Sequence, residues 1–169
     1  MKHKKKSNQK GIWIAAAVCA VALIAMIAAL CVPPVTQQGT FTPPPFDPAA
    51  VAGTPTVEDS LGWMKVSAEG MSFSAYICGE VIVEGGKADI WFTSEADNEV
   101  WLKLRIYDAD GNILGETGLI RPGEYLQSVT FDTIPANGQS IVMKLMSYEP
   151  DTYYSMGAVN LNTTAKTGG

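Results

Sequence analysis

Residues 100–107 read VWLKLRIY, and this stretch predicts a β-strand with one buried face and one outward face. Its apolar residues at 100, 102, 104 and 106 alternate with aromatic and cationic residues at the odd positions. A period of two is that of a strand, whose successive side chains point to opposite sides of a sheet. The Asp110-Gly111 pair that follows is a turn signal. The segment therefore predicts a strand that ends in a tight turn.

The same period recurs at short intervals between residues 57 and 166. Further strands are predicted over residues 71–77, 81–84, 87–93, 112–116, 125–131, 140–148 and 158–164. Gly85-Gly86, Pro122-Gly123 and Asn137-Gly138 supply the turns between them. Seven or eight short strands with such turns predict an all-β domain, an antiparallel immunoglobulin-like β-sandwich. The expected core is Phe73, Ile77, Ile90, Phe92, Leu102, Leu104, Ile106, Val129, Phe131, Ile141, Met143, Leu145, Val159 and Leu161.

Residues 11–32 read GIWIAAAVCAVALIAMIAALCV, carry no charge and predict one transmembrane helix that acts as a signal anchor. At ~1.5 Å per helical residue the run reaches about 33 Å, enough for the ~30 Å hydrocarbon core of a bilayer. Five lysines and no acidic residue lie within residues 1–10. The positive-inside rule therefore predicts a cytoplasmic N-terminus and an extracytoplasmic C-terminal domain, in a single-pass protein of the cell membrane.

Three other interpretations of the N-terminal region stay open. A cleaved secretory signal peptide requires a small-x-small site, for which Ala29-Leu30-Cys31 is the best junction. A lipoprotein signal requires a small residue before the modified cysteine, but Leu30 precedes Cys31. A leader of the type IV prepilin kind, ending at Lys10-Gly11, expects a glutamate where Ala16 stands.

Residues 33–56 contain seven of the ten prolines of the chain and predict a linker. Such a segment adopts polyproline II structure, so it would reach on the order of 75 Å at ~3.1 Å per residue. The alternative is a proline-rich ligand for an aromatic groove. The predicted organisation is a basic tail over 1–10, the anchor over 11–32, the linker over 33–56, the β-domain over 57–166 and a disordered tail over 167–169.

Charge and residue content exclude several classes of function. The net charge of −5 divides into +5 for residues 1–10 and −10 for the remainder, where 17 acidic residues face seven basic ones. An acidic domain argues against nucleic acid as a partner. The only histidine is His3, and Cys78 is the only cysteine of the predicted β-domain. Histidine-dependent catalysis and zinc sites are therefore not expected there, and the sequence predicts no enzyme, no cofactor and no metal.

Two further patterns have simpler explanations. Asp108, Asp110 and Asn112 resemble the start of a calcium loop, but the glycine of an EF-hand would stand at position 6 and here stands at position 4. A hairpin turn explains them. An isopeptide bond from Lys65 or Lys87 to an asparagine of the last strand, as in pilin domains, is the second pattern, but those asparagines have outward parity.

The outward residues of the predicted strands are the candidate partner surface. If the even positions of 100–107 face the core, the odd ones face outward, and an immunoglobulin-like order places the strand over 140–148 beside them. The candidate surface consists of Trp91, Trp101, Lys103, Arg105, Tyr107, Lys144, Met146 and Tyr148. Aromatic residues, Met and Arg are enriched at interface centres. The alternative is that the linker or a loop covers this face.

Residues 107–126, YDADGNILGETGLIRPGEYL, resemble a group of small membrane-tethered β-sandwich proteins of Gram-positive gut bacteria. The resemblance implies an immunoglobulin-like domain outside the membrane, and it carries no catalytic residue to this chain.

Three functions fit these features. The leading prediction is a non-catalytic, membrane-anchored interaction module, an accessory subunit of a cell-envelope, secretion or pilus-type assembly with a protein partner near the membrane. The second is carbohydrate binding, in which Trp91, Trp101 and Tyr148 stack on sugar rings of a cell-wall or other glycan. The third is a pilin-like structural subunit, which would require processing at Gly11.

Overall fold

The computed structural model describes Trp13, residues 42–67 and residues 73–168. The predicted basic tail, the anchor apart from Trp13 and the first part of the linker lie outside the described residues. The chain divides into two units, residues 1–41 and residues 42–169, and only the second is described at length. None of the described residues forms a helix with the length and hydrophobicity that a membrane crossing requires.

Within residues 42–67 and 73–168, the second unit is built from ten strands and one short 3₁₀ turn, Asp59–Leu61. The strands are β1 Val51–Ala52, β2 Trp63–Val66, β3 Ala75–Cys78, β4 Val81–Glu84, β5 Lys87–Ser94, β6 Trp101–Asp108, β7 Ile113–Glu116, β8 Glu124–Thr130, β9 Ser140–Tyr148 and β10 Ser155–Thr167. They hydrogen-bond in the order β1-β8-β5-β4-β10-β9-β6-β7, with β3 beside β5 and β2 beside β3. All described pairs of strands are antiparallel except β10 with β4.

The ten strands form one curled sheet because β10 is long enough to join its two halves. The first part of β10 pairs with β9, and its last residues, Ala165–Thr167, pair with β4. At the other side, Gly115 of β7 bridges to Phe131, directly after β8. A Cβ at Gly115 would lie 2.5 Å from the Thr130 carbonyl oxygen, so this contact depends on glycine. The curl encloses one core to which both halves contribute.

The core confirms the predicted alternation. Twelve of the fourteen expected core residues are buried, and the other two, Val159 and Leu161, pack against the core while partly exposed. In β6 the even positions 102, 104 and 106 are fully buried, as the VWLKLRIY pattern predicts. The all-β class is therefore confirmed for the described residues.

Three features differ from the sequence prediction. β1 and β2 were not expected, because β1 has only two residues and the adjacent apolar residues Trp63 and Met64 interrupt the alternation in β2. The parallel pairing of β10 with β4 was not expected either, because nothing local in a sequence reports which distant strand lies alongside. Last, residues 45–53, which we call the strap, lie inside the predicted linker but are bound to the sheet.

The strap is held by specific hydrogen bonds. Asp47 N–H donates to the Leu119 carbonyl at 2.8 Å, Leu119 N–H donates to the Pro45 carbonyl at 2.9 Å, and Gly118 N–H donates to Asp47 Oδ2 at 2.8 Å. Further along, β1 pairs with residues 124–125 of β8. A proline-rich composition indicates that a regular helix or strand is absent. It does not indicate whether the extended segment packs against the sheet.

Candidate functional site

The outer face of β6 and β9 contains most of the predicted surface residues. The register places Trp101 opposite Tyr148, Lys103 opposite Met146, and Arg105 opposite Lys144. These two strands are therefore neighbours, as the sequence interpretation requires. Four half-buried residues of this face, Arg105, Tyr107, Lys144 and Tyr148, are called the cationic strip below.

The cations of β6 share one carboxylate. Lys103 Nζ lies 3.0 Å from Glu116 Oε1, and Arg105 Nε donates to Glu116 Oε2 at 2.6 Å. Arg105 also donates to the Tyr107 hydroxyl at 3.4 Å. Partial burial acts to raise the pKa of the Glu116 carboxyl, but the hydrogen bonds from Lys103 and Arg105 outweigh it, so the pKa is lowered below its ordinary value. Glu116 is therefore a charged bridge that orients both cations.

Lys144 receives no such compensation. A row of facing residues runs across four strands, from Glu116 through Arg105 and Lys144 to Asn160. Within residues 42–67 and 73–168, no ion pair to Lys144 is formed. Like charges directly opposite each other on neighbouring strands are destabilising. The row therefore holds an excess of positive charge that an external anion could neutralise.

The Trp101 end of this face is covered. The Trp101 ring meets Phe46 of the strap edge-on at 4.8 Å and Tyr153 at 5.1 Å, and the Arg121 guanidinium lies 3.6 Å from the centre of the Phe46 ring. Nearby, Lys103 and Met146 are only 5% and 8% exposed, which differs from the expectation of outward, accessible side chains. Alternation predicts which side of the sheet a residue faces, but it does not predict whether the strap or a loop covers that residue.

Trp91 lies apart from the other predicted surface residues. It belongs to β5, and three strands separate β5 from β6 in the sheet order. The predicted platform of Trp91, Trp101 and Tyr148 is therefore not assembled. Trp91 instead stacks beside Tyr125 of β8, with ring centres 5.9 Å apart.

The backbone at Trp91 is strained. Asp89 faces Ser128 and Phe92 faces Leu126, so β5 has one residue more than β8 between these pairs, which is a β-bulge. Trp91 has a φ of 47° there, in the left-handed region that costs a non-glycine residue roughly 1–2 kcal/mol. Its carbonyl accepts hydrogen bonds from Trp63 Nε1–H at 3.1 Å and from the Thr93 hydroxyl at 3.0 Å. These two bonds hold the conformation.

A groove of about 610 Å³ lies beside Trp91, and we call it the Trp91 groove. Its walls come from β4, β5, β8 and the segment before β2, with the lining residues Thr56, Glu58, Leu61, Ile82, Glu84, Lys87, Asp89, Trp91 and Gln127. Gln127 Nε2 donates to Asp89 Oδ2 at 3.0 Å. The groove thus combines one indole with a hydrogen-bonded pair of planar polar groups and several further charged groups.

A second aromatic pair follows on the neighbouring strands. Trp63 of β2 stacks on Tyr76 of β3 with ring centres 4.6 Å apart, and both line a second concavity of about 650 Å³. Lys65 binds Glu95 at 2.8 Å and lies 5.7 Å from the centre of the Tyr76 ring. Sequence reasoning missed Trp63 and Tyr76 as surface aromatics, because β2 was not predicted and the pairing of β2 with β3 is not local.

Three candidates from the sequence remain, namely Asp108, Cys78 and the two lysines of the isopeptide pattern. Asp108 Oδ1 accepts hydrogen bonds from the backbone N–H groups of Asp110 and Asn112, and Asp108 Oδ2 accepts one from Asn112 Nδ2. This arrangement is that of a turn closed by its own aspartate. Cys78 is fully buried, and burial with the nearby charge of Asp89 raises the pKa of its thiol to about 11. For the isopeptide pattern, Lys65 lies on β2 and Lys87 on β5, whereas Asn160 and Asn162 of β10 pair with residues of β9.

The chain was compared with known proteins. No protein-family model matches it, and no curated protein sequence matches it. Among solved structures it is similar to CopC from Methylosinus trichosporium OB3b, with a TM-score of 0.35 and 16% identity over 63% of this chain and 96% of that chain. A likeness of this size carries no argument about function, which must come from the described geometry.

Proposed function

We propose that the chain is a non-catalytic interaction module, held at the outer face of the cell membrane by residues 11–32, that binds an acidic surface of a membrane-proximal protein. It would serve as an accessory subunit of a cell-envelope, secretion or pilus-type assembly. The observation that carries the proposal is the Arg105–Lys144 pair, in which two cations face each other across neighbouring strands.

Charge and composition support this assignment. Outside the N-terminal tail the chain has a net charge of −10, so a cluster of cations is an exception on an acidic domain. On the same face, Tyr107 is the next outward residue after Arg105 along β6, and Tyr148 lies two outward positions beyond Lys144 along β9. Arg and Tyr are the residue types that most often dominate binding energy at interfaces, and complementary charge raises the rate of encounter with a partner.

The experiment is photo-crosslinking from single positions in living cells. A photoreactive residue replaces Tyr107 in one strain, which keeps both cations of the pair, and Lys166 in another, since Lys166 is an exposed lysine of β10 that is paired with Glu80. We expect a discrete crosslinked protein from position 107, absent from position 166, whose yield falls with added salt. The same products from both positions, or none from position 107, would refute the proposal.

The membrane attachment has its own test. Intact cells, and then cells stripped of their wall, are treated with a protease that cannot enter. We expect the β-domain to be digested and a fragment containing residues 1–32 to stay with the membrane fraction. A β-domain that survives until the membrane is dissolved would contradict the proposed topology.

Carbohydrate binding is the second candidate, and a different observation favours it. The Trp91 groove offers an aromatic ring beside an amide–carboxylate pair, which are groups suited to a sugar. This candidate does not depend on the cationic strip.

A further inference from the structure

The strained bulge at Trp91 places an indole where a regular strand would not. Glycine is the residue that usually occupies the left-handed position of a β-bulge, yet here the largest side chain occupies it. Two hydrogen bonds to the Trp91 carbonyl preserve the conformation. Strained residues cluster at binding sites, and bulges re-aim side chains there. The position of this ring therefore indicates a ligand-binding site.

The groups around the ring define the chemistry of that ligand. Trp91 supplies a flat apolar surface, and Gln127 with Asp89 supplies planar hydrogen-bonding groups next to it. After their mutual hydrogen bond, the amide of Gln127 still has a carbonyl oxygen and one N–H, and Asp89 has a second oxygen. A pyranose ring presents apolar C–H bonds on a face and hydroxyl groups around its rim. Stacking and rim hydrogen bonds would therefore be made together.

The charge of the groove argues against an anionic ligand. Its lining contains three carboxylates, Glu58, Glu84 and Asp89, and one cation, Lys87. Carboxylates accept hydrogen bonds from hydroxyl groups but repel phosphate and carboxylate ligands. Within residues 42–67 and 73–168, no cluster of three or more His, Cys, Asp or Glu residues is arranged to hold a metal ion.

We infer that the Trp91 groove is a binding site for an uncharged pyranose glycan, with Trp91 as the stacking platform and the Gln127–Asp89 pair as the hydrogen-bonding rim. The inference rests on the carbohydrate-binding candidate and assigns it a location and a ligand class. The groove measures about 610 Å³, within the range of about 300–1,000 Å³ typical of ligand sites. Glycan binding would add a second function to the module, because the groove lies on β4, β5 and β8, whereas the cationic strip lies on β6 and β9.

The test is calorimetric titration of the full chain, purified in a detergent that contains no sugar. The probes are hexamers of β-1,4-linked glucose and of β-1,4-linked N-acetylglucosamine, with hexagalacturonate as the acidic counterpart. We expect a neutral hexamer to bind and hexagalacturonate not to bind. Failure of both neutral hexamers to bind, or binding of the acidic one alone, would overturn the inference.

Trp91→Gly is the decisive variant because glycine removes the indole while accepting the φ of 47°. Its binding should weaken at least tenfold, and its urea midpoint should show that it is folded. Trp101→Leu is the matched control, since Trp101 packs against Phe46 and Tyr153 away from the groove. Equal affinity of folded Trp91→Gly and the unchanged chain would refute the assignment of the site.

Two further variants separate this inference from the proposed protein contact. Lys144→Gln removes a cation of the strip and should leave glycan affinity unchanged. Asp89→Asn keeps the shape of the rim but removes its charge, and it should weaken glycan affinity severalfold. Loss of glycan binding in Lys144→Gln would show that the groove is not the site. Absence of glycan binding with intact crosslinking at position 107 would remove the glycan inference alone.

Discussion

Gly118→Ala should release residues 45–47 of the strap from the β-domain. The Cβ of an alanine at this position would lie 2.5 Å from Asp47 N, 2.6 Å from Asp47 Cα and 2.9 Å from the Phe46 carbonyl carbon. All three atoms belong to the backbone of the strap, so no rotation of a side chain can relieve the contact. We expect residues 45–47 to move away from the sheet while β10, β9 and β6 keep their pairing.

The cost can be worked from the contacts that would be lost. Three hydrogen bonds join residues 45–47 to residues 118–119, each contributing about 0.5–1.5 kcal/mol. The Phe46–Trp101 contact adds about 0.5–1.5 kcal/mol and the Arg121–Phe46 contact about 0.5–1 kcal/mol. Exposing parts of Phe46 and of the fully buried Leu119 costs about 2 kcal/mol more. Each of the three freed residues regains about 1–2 kcal/mol of backbone conformational entropy, which offsets part of this cost. The free energy of unfolding should therefore fall by about 2–3 kcal/mol.

The assay is urea unfolding of the full chain in detergent, followed by tryptophan fluorescence. With an m-value of about 1–3 kcal/mol per molar urea, the midpoint of Gly118→Ala should fall by about 1–2 M. Gly168→Ala is the matched control, because its Cβ would meet only the flexible Glu84 side chain, at 3.3 Å, and its midpoint should not move.

A double-mutant cycle with Phe46→Ala gives the sharper test. Once the strap is released, removing the Phe46 ring should cost almost nothing further, whereas the same change in the unmodified chain should cost about 2 kcal/mol. Additive effects of the two changes, or an unchanged midpoint for Gly118→Ala, would refute the conclusion that residues 45–47 are bound.

Three further predictions concern single residues. Because the pKa of Glu116 is lowered on folding, its contribution to stability is complete above its unfolded pKa of about 4.3 and is lost as the pH falls through the folded pKa. Below about pH 4.5, the urea midpoint of Glu116→Gln should therefore fall less steeply with pH than that of the unchanged chain. Parallel plots of urea midpoint against pH for the two proteins would contradict this. Cys78, with a thiol pKa of about 11 and no exposure, should react with iodoacetamide at pH 8 far more slowly in the folded chain than in urea, as peptide mass spectrometry would measure. Gly115→Ala should lower the urea midpoint, because its Cβ would lie 2.5 Å from the Thr130 carbonyl oxygen, and an unchanged midpoint would show that β7 is not held against β8.

Much of the strand pattern could be predicted from local sequence. Val81–Glu84 and Ser140–Tyr148 have the same bounds in the structure as in the prediction, since glycine-rich turns and alternation fix the ends of a strand from nearby residues alone. The pairing of Ala165–Thr167 with β4 could not be predicted. Pairing depends on backbone groups that every residue carries, so the sequence contains no local signal for the partner.

The candidate sites show the same division. The neighbouring positions of Arg105 and Lys144 followed from alternation together with one assumption about strand order. The separation of Trp91 from that face depended on the sheet order, and the covering of Trp101 depended on Phe46 of the strap and on Tyr153. The bulge at Trp91 had no sequence signal either, because the residue that most often marks such a bulge, glycine, is absent from that position.

The sequence by itself determined the all-β class, the positions of most strands and the residues that form the core, because side-chain polarity with a period of two records which face of each strand avoids water. Only the tertiary structure decided which outward residues are exposed, which aromatic rings stand together and where a groove opens. The exposure of a residue depends on what covers its face of the sheet. Here a segment with the composition of a spacer covers part of the face, and it is hydrogen-bonded to Gly118 and Leu119.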